Sequence, residues 1–146
     1  MPVKTYDPKL VVLTVGGVPI SGYADGTFIV VERSNDMFSK VSGADGQVSR
    51  AKANDRSGTV TVTLAQTSPS NDALQAIAVL DEKSNQGVKP VSCKDISGRS
   101  TFFSAFGWIR KVPNAEFGKE ITNREWVLDC ADLEMNVAGN PDSVAA

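Results

Sequence analysis

The sequence of 146 residues contains no histidine and only two cysteines, Cys93 and Cys130. Hydrolases of the Ser-His or Cys-His type need a histidine as the general base, so these mechanisms are excluded. Neither cysteine has a second cysteine two residues away, and no histidine exists to complete a zinc site. We therefore expect no metal site, and we interpret both cysteines as small buried apolar residues.

Nucleotide-binding and acid–base motifs are also lacking. Neither the G-x-x-x-x-G-K-[ST] phosphate loop nor the G-x-G-x-x-G fingerprint occurs. Carboxylate pairs do occur, at Asp81 with Glu82 and at Asp129 with Asp132, and we interpret them as solvated or capping charges because nothing nearby predicts a cleft. The sequence predicts no catalytic residue, no cofactor and no enzymatic activity.

The charge balance and the hydropathy pattern limit the possible partners. Fifteen basic and seventeen acidic residues give a net charge of −2, which argues against tight binding of nucleic-acid phosphates. No apolar run approaches the roughly 18 residues of a membrane span, so we expect no membrane insertion. The opening MPVKTYDPKL has no apolar block of a secretory signal, and we expect a cytosolic chain. The length fits a single domain over residues 1–146.

The first third of the chain has the pattern of short strands joined by turns. The stretch LVVLTVGGVPI (residues 10–20) has two apolar runs around Gly16-Gly17, a dipeptide suited to a two-residue hairpin turn. A β-branched run from Phe28 to Arg33 predicts a third strand. Residues 34–46 then predict a protruding loop or loose hairpin that carries Met37 and Phe38.

Val48–Ala53 and Thr59–Ala65 flank the turn residues NDRSG, and we predict that these two strands form an antiparallel pair. In the second strand, apolar and polar side chains alternate strictly, which predicts one buried and one polar face. The apolar set is Val60, Val62 and Leu64, and the polar set is Thr59, Thr61 and Thr63.

A single helix is predicted at about residues 69–84. Ser68 is a suitable cap, and Pro69 suits the first helical position because its missing N–H would have no partner within the helix. Asn85 and Gly87 predict the end of the helix. Spacings of three and four predict one apolar face, made of Ala73, Leu74, Ile77, Ala78 and Leu80.

Three further strands are predicted at Val88–Ile96, Ser100–Val112 and Asn123–Ala131, with a long connection at Pro113–Glu120. Trp126, Leu128 and Cys130 alternate with polar or smaller residues and are expected in the core. From about residue 138 we expect a flexible tail. The fold class is therefore mainly β, a small barrel or sandwich of two antiparallel sheets with one flanking helix.

Strand edges suggest a function even without catalytic groups, because a β-rich domain often hides its edges by pairing them with another chain. Closed rings follow from a head-to-tail contact that returns on itself, and stacking of rings requires a second, axial contact. The loop at residues 34–46 is a candidate for that axial contact because Met37 and Phe38 are costly to leave in water. The alternative is an ordinary exposed hairpin.

Three stretches carry a resemblance to a known family. YDPKLVVLTVGGVPISGYADGTFIVVER, VSRAKANDRSGTVTVTLAQTSPSNDAL and NREWVLDCADLEMNVAGN resemble the tail tube proteins of contractile-tailed bacteriophages. The resemblance runs from about Tyr6 to Asn140, and its most specific block is Gly58–Leu74. The inner tube protein of type VI secretion systems is similar in design.

The resemblance implies a structural subunit of the virion, made in the bacterial host cytoplasm. Six subunits would form a ring, and stacked rings would form a hollow tube that conducts DNA into the host cell without binding it specifically. The implied partners are other copies of the chain, the tail sheath protein, and the tail initiator or baseplate and terminator proteins.

The resemblance also implies roles for particular residues. The candidates for the lumen-facing surface are Ser49, Lys52, Thr59, Thr61 and Thr63. The candidates for the contact between rings are Asp36, Met37, Phe38 and Lys40.

Two other functions remain open at this point. The chain could be the inner tube subunit of a pyocin-like or secretion-type contractile device, or a monomeric module that binds a partner along a strand edge.

Overall fold

The computed structural model describes residues 3–140, and these contain ten strands and one α-helix. The helix α1 spans Ser70–Ser84, and a 3₁₀ turn at Pro8–Leu10 precedes the first strand. The strands are β1 (Val11–Val15), β2 (Val18–Pro19), β3 (Ile29–Arg33), β4 (Phe38–Ser42), β5 (Val48–Lys52), β6 (Gly58–Ala65), β7 (Lys89–Asp95), β8 (Thr101–Lys111), β9 (Asn123–Cys130) and β10 (Glu134–Asn136).

Eight strands form one large antiparallel sheet. Seven of them follow the order β2-β1-β7-β8-β9-β6-β3, and β10 pairs with the first part of β8. The other two strands, β4 and β5, pair only with each other. The sheet therefore has its two edges at β2 and β3, and the β4–β5 hairpin stands apart from it.

The large sheet is strongly curved. In a flat sheet, four strand spacings would separate β1 from β6 by about 19 Å. Leu13 of β1 and Leu64 of β6 nevertheless belong to one core. The segment after β2 crosses between these strands, because the Ile20 N–H binds the carbonyl of Leu13 and the Ala24 N–H binds the carbonyl of Thr63. The sheet curls around its core without closing into a barrel, since β2 and β3 are not paired.

The core follows from the alternation of apolar side chains on neighbouring strands. Val60 lies opposite Leu128, and Val62 lies opposite Trp126, all four with exposed fractions of 2% or less. Burying each such side chain contributes about 1.5–3 kcal/mol. Cys93 is also buried, and desolvation by burial, followed by the nearby charge of Asp95, raises the pKa of its thiol to about 11.

The helix closes one end of the core, and its first turn is anchored by hydrogen bonds. Leu74 is fully buried, and Ile77 packs against the core. Asn71 accepts a bond of 2.9 Å from the indole N–H of Trp126, and its amide N–H donates to the carbonyl of Ala65 at 3.0 Å. The Ser70 hydroxyl accepts a bond from the Ser21 N–H. The helix start thus joins β6, β9 and the crossing segment.

Most predicted elements are confirmed. Gly16 and Gly17 have φ angles of 59° and 82° in the turn between β1 and β2. The Ser68 hydroxyl accepts a bond from the Ser70 N–H, although the helix begins at residue 70 with Pro69 as its cap. Asn85, at φ 58°, ends the helix as predicted. The fold class is confirmed as mainly β, with two antiparallel sheets and one helix among the described residues.

The predicted pairing of Val48–Ala53 with Thr59–Ala65 is wrong. β5 pairs with β4, and β6 pairs with β3 on one side and β9 on the other. The physical reason is that all three apolar residues on one face of β6 are buried, whereas every residue of β5 is exposed. A polar strand such as β5 cannot complete the core that β6 requires.

Of the predicted tail, Ala138–Asn140 are hydrogen bonded to the loop between β7 and β8. The Arg99 N–H donates to the carbonyl of Gly139, and the Ser100 hydroxyl donates to the carbonyl of Ala138. Residues 141–146 lie outside the described residues.

Candidate functional site: the arm and the outer face of the sheet

The hairpin of β4 and β5, which we call the arm (Phe38–Lys52), is exposed along its whole length. Its turn is closed by a bond of 2.8 Å from the Gly43 N–H to the carbonyl of Gln47, and Gly46 takes a φ of 84°. Every residue of both strands is exposed. The arm is therefore held by its own ladder and by the residues that precede and follow it.

The root of the arm is fixed by short polar contacts. The Asn35 amide donates to the Asp55 carboxylate at 2.8 Å, and this bond joins the segment that enters the arm to the segment that leaves it. Asp55 also accepts a bond from the Ser57 N–H at 3.0 Å, and hydrogen bonding to Ser57 lowers the pKa of the Asp55 carboxyl. The Ala53 N–H donates to the carbonyl of Met37. These contacts position the arm although no core supports it.

The two faces of the arm differ in chemistry. Side chains of directly paired residues share a face, so the register assigns Ser39, Val41, Ser49 and Ala51 to one face. The other face, which we call the basic face, carries the arm's three basic residues and two large apolar ones. The Arg50 guanidinium lies 4.2 Å from the centroid of the Phe38 ring, a cation–π distance. The basic face consists of Phe38, Lys40, Val48, Arg50 and Lys52, with Ser42.

The structure brings the four predicted inter-ring residues together. Asp36 and Met37 lie at the root, and Phe38 and Lys40 lie on the basic face of β4. Met37 has an exposed fraction of 63%. Sequence reasoning missed Val48 and Arg50 because β5 was assigned to a different partner, although the alternation in VSRAK (residues 48–52) was the signal.

The second candidate surface is the outer face of the large sheet, opposite the core. Thr59, Thr61 and Thr63 project there from β6 and are partly buried by neighbouring strands. The register places Asp129, Val127 and Glu125 of β9 beside them on one side, and Glu32 and Val30 of β3 on the other.

The outer face is polar with an acidic bias around the threonines. Arg110 of β8 donates from its Nε to both carboxylate oxygens of Asp129 at 3.0 Å, and this hydrogen bonding and charge raise the pKa of Arg110. The arginine therefore balances Asp129, while Glu32 and Glu125 add two further carboxylates to the surroundings of the threonines.

Two of the predicted lumen-facing residues do not belong to this surface. Ser49 and Lys52 lie on β5 in the arm, so the prediction that they share a sheet with Thr59, Thr61 and Thr63 is wrong. The cause is the wrong predicted pairing of β5 with β6, which placed β5 in the large sheet instead of in the arm.

Within residues 3–140, cysteine, aspartate and glutamate side chains form no group of three or more that could hold a metal ion. The described helix is too short and too polar to span a membrane.

Comparisons with known proteins agree with this architecture. Residues 11–138 match the family model of the Bacteriophage PhiTE tail tube protein. The chain is 31% identical over 145 residues to Structural protein ORF10 of Pseudomonas phage KPP10, covering 94% of this chain and 84% of that protein.

Solved structures of the same fold come from an extracellular contractile injection system, PVC. A chain of its sheath/tube terminator superimposes with a TM-score of 0.60, covering 91% of this chain and 97% of that one. A chain of its sheath-tube complex gives a TM-score of 0.58, with 92% and 93% covered. Both are 13% identical to this chain and therefore establish the fold alone.

The fold and the sequence match define a structural protein of phage tails, a component of the virion. The chain belongs to the family of the Bacteriophage PhiTE tail tube protein.

Proposed function

We propose that this tail tube subunit assembles into hexameric rings, which stack into a hollow tube that conducts DNA during infection. The arm is the observation that carries the proposal. A two-stranded hairpin is marginally stable alone in water, and this one exposes Val41 and Val48, with Met37 at its root, at exposed fractions above 60%. Such an element gains stability when a partner covers it, as an axial contact between rings would.

Ring closure would use the edges of the large sheet. β2 and β3 are the terminal strands of the sheet, so each has one side without a neighbouring strand in the large sheet. Pairing of one subunit's edge with the other edge of the next copy is a head-to-tail contact, and such contacts close into rings. The number six rests on the resemblance to the tail tube family.

The outer face would line the channel once the edges are joined. It is polar, with Thr59, Thr61 and Thr63 at its centre and Glu32 and Glu125 beside them. Around the threonines, carboxylates outnumber cations: Glu32, Glu125 and Asp129 lie near Arg110, which is paired with Asp129, and Lys111, which lies beside Val127. Each phosphate neutralised by a cation would add affinity, so an excess of carboxylates weakens the binding of DNA. DNA would therefore slide through the channel without specific binding.

The tube would have protein partners at its outside and its ends. The similar folds of the PVC sheath-tube complex and sheath/tube terminator support a contractile sheath around this tube and a terminator at its end. A tail initiator or baseplate protein would start the first ring. No chemical step is assigned to the subunit, which acts as a passive conduit.

Removal of the arm tests the axial part of the proposal. Joining Asn35 to Asp55 by two glycines deletes residues 36–54 where the two side chains are already in contact. Because the arm adds nothing to the core, we expect the variant to unfold at the temperature of the wild type. Electron microscopy and mass analysis at high concentration should show rings but no tubes, whereas the wild type forms tubes.

Two outcomes would contradict the proposal. Normal tubes from the deletion variant would eliminate the axial role of the arm. A wild-type protein that remains monomeric even with added tail initiator would instead favour a module that binds partners through its strand edge.

A further inference from the structure

We infer that the loop between β8 and β9 receives the basic face of the arm from a second copy of the chain. We call its residues 112–122 the acceptor loop. The inference extends the proposed function, because it names the surface on which the axial contact is made. It rests on where the two elements lie, on what each exposes and on their charges.

The two elements project from opposite ends of the large sheet. The arm leaves the sheet next to Arg33, which pairs with Gly58 at the start of β6. The acceptor loop is followed directly by Asn123 of β9, which pairs with Ala65 at the end of β6. The eight residues of β6 separate these ends by about 23 Å. Contact between the arm and the acceptor loop is therefore suited to two copies arranged head to tail.

Both elements expose large apolar side chains. In the acceptor loop, Phe117 has an exposed fraction of 80% and Ile121 of 69%. The Arg124 guanidinium lies 5.3 Å from the centroid of the Phe117 ring and also donates to the carbonyl of Glu116. Arg50 is placed over Phe38 in the arm in the same way. In each element an arginine helps to hold an exposed phenylalanine in a defined position, which lowers the entropy cost of binding.

The charges of the two elements are complementary. The arm has three basic residues and one acidic residue, a net charge of +2, and all three basic residues lie on the basic face. The acceptor loop has Glu116, Glu120 and Lys119, a net charge of −1, and Lys111 of β8 directly precedes it. The Arg110 guanidinium is paired with Asp129, and the Arg124 guanidinium lies over the Phe117 ring. The two carboxylates and the exposed apolar side chains of the loop therefore suit the basic, apolar face of the arm.

Disulfide trapping between two single variants tests the inference. Val48→Cys places a thiol on the basic face, and Phe117→Cys places one in the acceptor loop. Equal amounts are mixed at high concentration in a glutathione redox buffer, and intact mass separates the three possible dimers. Cys93 and Cys130 are buried and unpaired, so the wild type should stay unlinked.

We expect the mixed dimer in at least a fivefold excess over either homodimer, because random pairing gives only a twofold excess. Val41→Cys is the matched control. It changes the same residue type in the same arm, with an exposed fraction of 70%, but on the opposite face. Its mixture with Phe117→Cys should remain at the random ratio.

The results separate this inference from the proposed function. Suppose that electron microscopy shows tubes but Val48→Cys and Phe117→Cys give the random ratio. The arm then does not bind the acceptor loop, while the proposed tube assembly still holds. An equal excess with Val41→Cys would overturn the assignment of the basic face. A random ratio in a sample without tubes, even with tail initiator, would overturn both.

Discussion

At the scale of single residues, Asn71 links three parts of the fold. It accepts from the Trp126 indole and donates to the carbonyl of Ala65, which joins the start of the helix to β9 and to the end of β6. Trp126 has an exposed fraction of only 2%. Its N–H would lose its partner in a buried position if Asn71 were shortened, and unsatisfied buried donors are costly.

Asn71→Ala should therefore lower the free energy of unfolding by about 1–3 kcal/mol. Gln75→Ala is the matched control, because Gln75 is exposed on the same helix and both changes replace a side-chain amide by a methyl group. Urea denaturation of both variants measures the effect. Equal stability of the two variants would show that the bond to Trp126 contributes nothing.

How much of the burial and pairing of a strand can be predicted from its residue pattern differs between β6 and β5. The alternation in Gly58–Ala65 correctly predicted which side chains of β6 are buried, because one face of that strand is covered by a core. The alternation in Val48–Lys52 shows which side chains share a face, but it does not predict a buried face, since both faces of β5 are exposed. Pairing partners of an exposed strand are set by the turn that precedes it, here at Gly43–Gly46.

At the scale of elements, the arm and the large sheet differ in what holds them. β6 has paired strands on both sides and a buried face, whereas the arm has only the ladder between β4 and β5 and the contacts at its root. Elements with few buried contacts open locally at low cost.

Amide hydrogen exchange should therefore be fast in the arm of the free subunit and slow in β6 and β9. In assembled tubes the arm should become protected, because the next ring would cover it. Mass-spectrometric exchange on both samples, with β9 as the internal reference, measures the change. Strong protection of the arm in the monomer, or no gain of protection in tubes, would contradict its role as an axial contact.

Long-range placement was the part of the site that the sequence did not predict. The acceptor loop was recognised only as a connection, because nothing local shows that it projects from the end opposite to the arm. β10 was missed for a similar reason, since three residues that pair with the beginning of β8 have too short a pattern to be recognised. Both features depend on the register of strands far apart in the sequence.

At the scale of the whole molecule, a tube that conducts DNA requires a channel that does not retain it. Thr61→Lys would place one cation per subunit on the outer face of the sheet, between Val30 and Val127. If this face lines the channel, a ring of cations would bind phosphates, and the affinity would fall steeply as salt increases.

We expect tubes of Thr61→Lys to retain short DNA fragments at low salt, at least tenfold more than wild-type tubes. Gln75→Lys adds the same charge on the exposed side of the helix and should not cause retention inside the tube. Fluorescent DNA that co-sediments with tubes, with and without nuclease added outside, measures the difference. Equal retention by the two variants would argue that the outer face does not line the channel.

A cryo-electron microscopy structure of tubes assembled from the full chain would decide whether the proposed assembly is correct. We expect stacked hexameric rings around an open channel, with Thr59, Thr61 and Thr63 facing the channel and each arm contacting the adjacent ring. A channel lined by the helix, or arms that contact no other ring, would show that the proposed assembly is wrong.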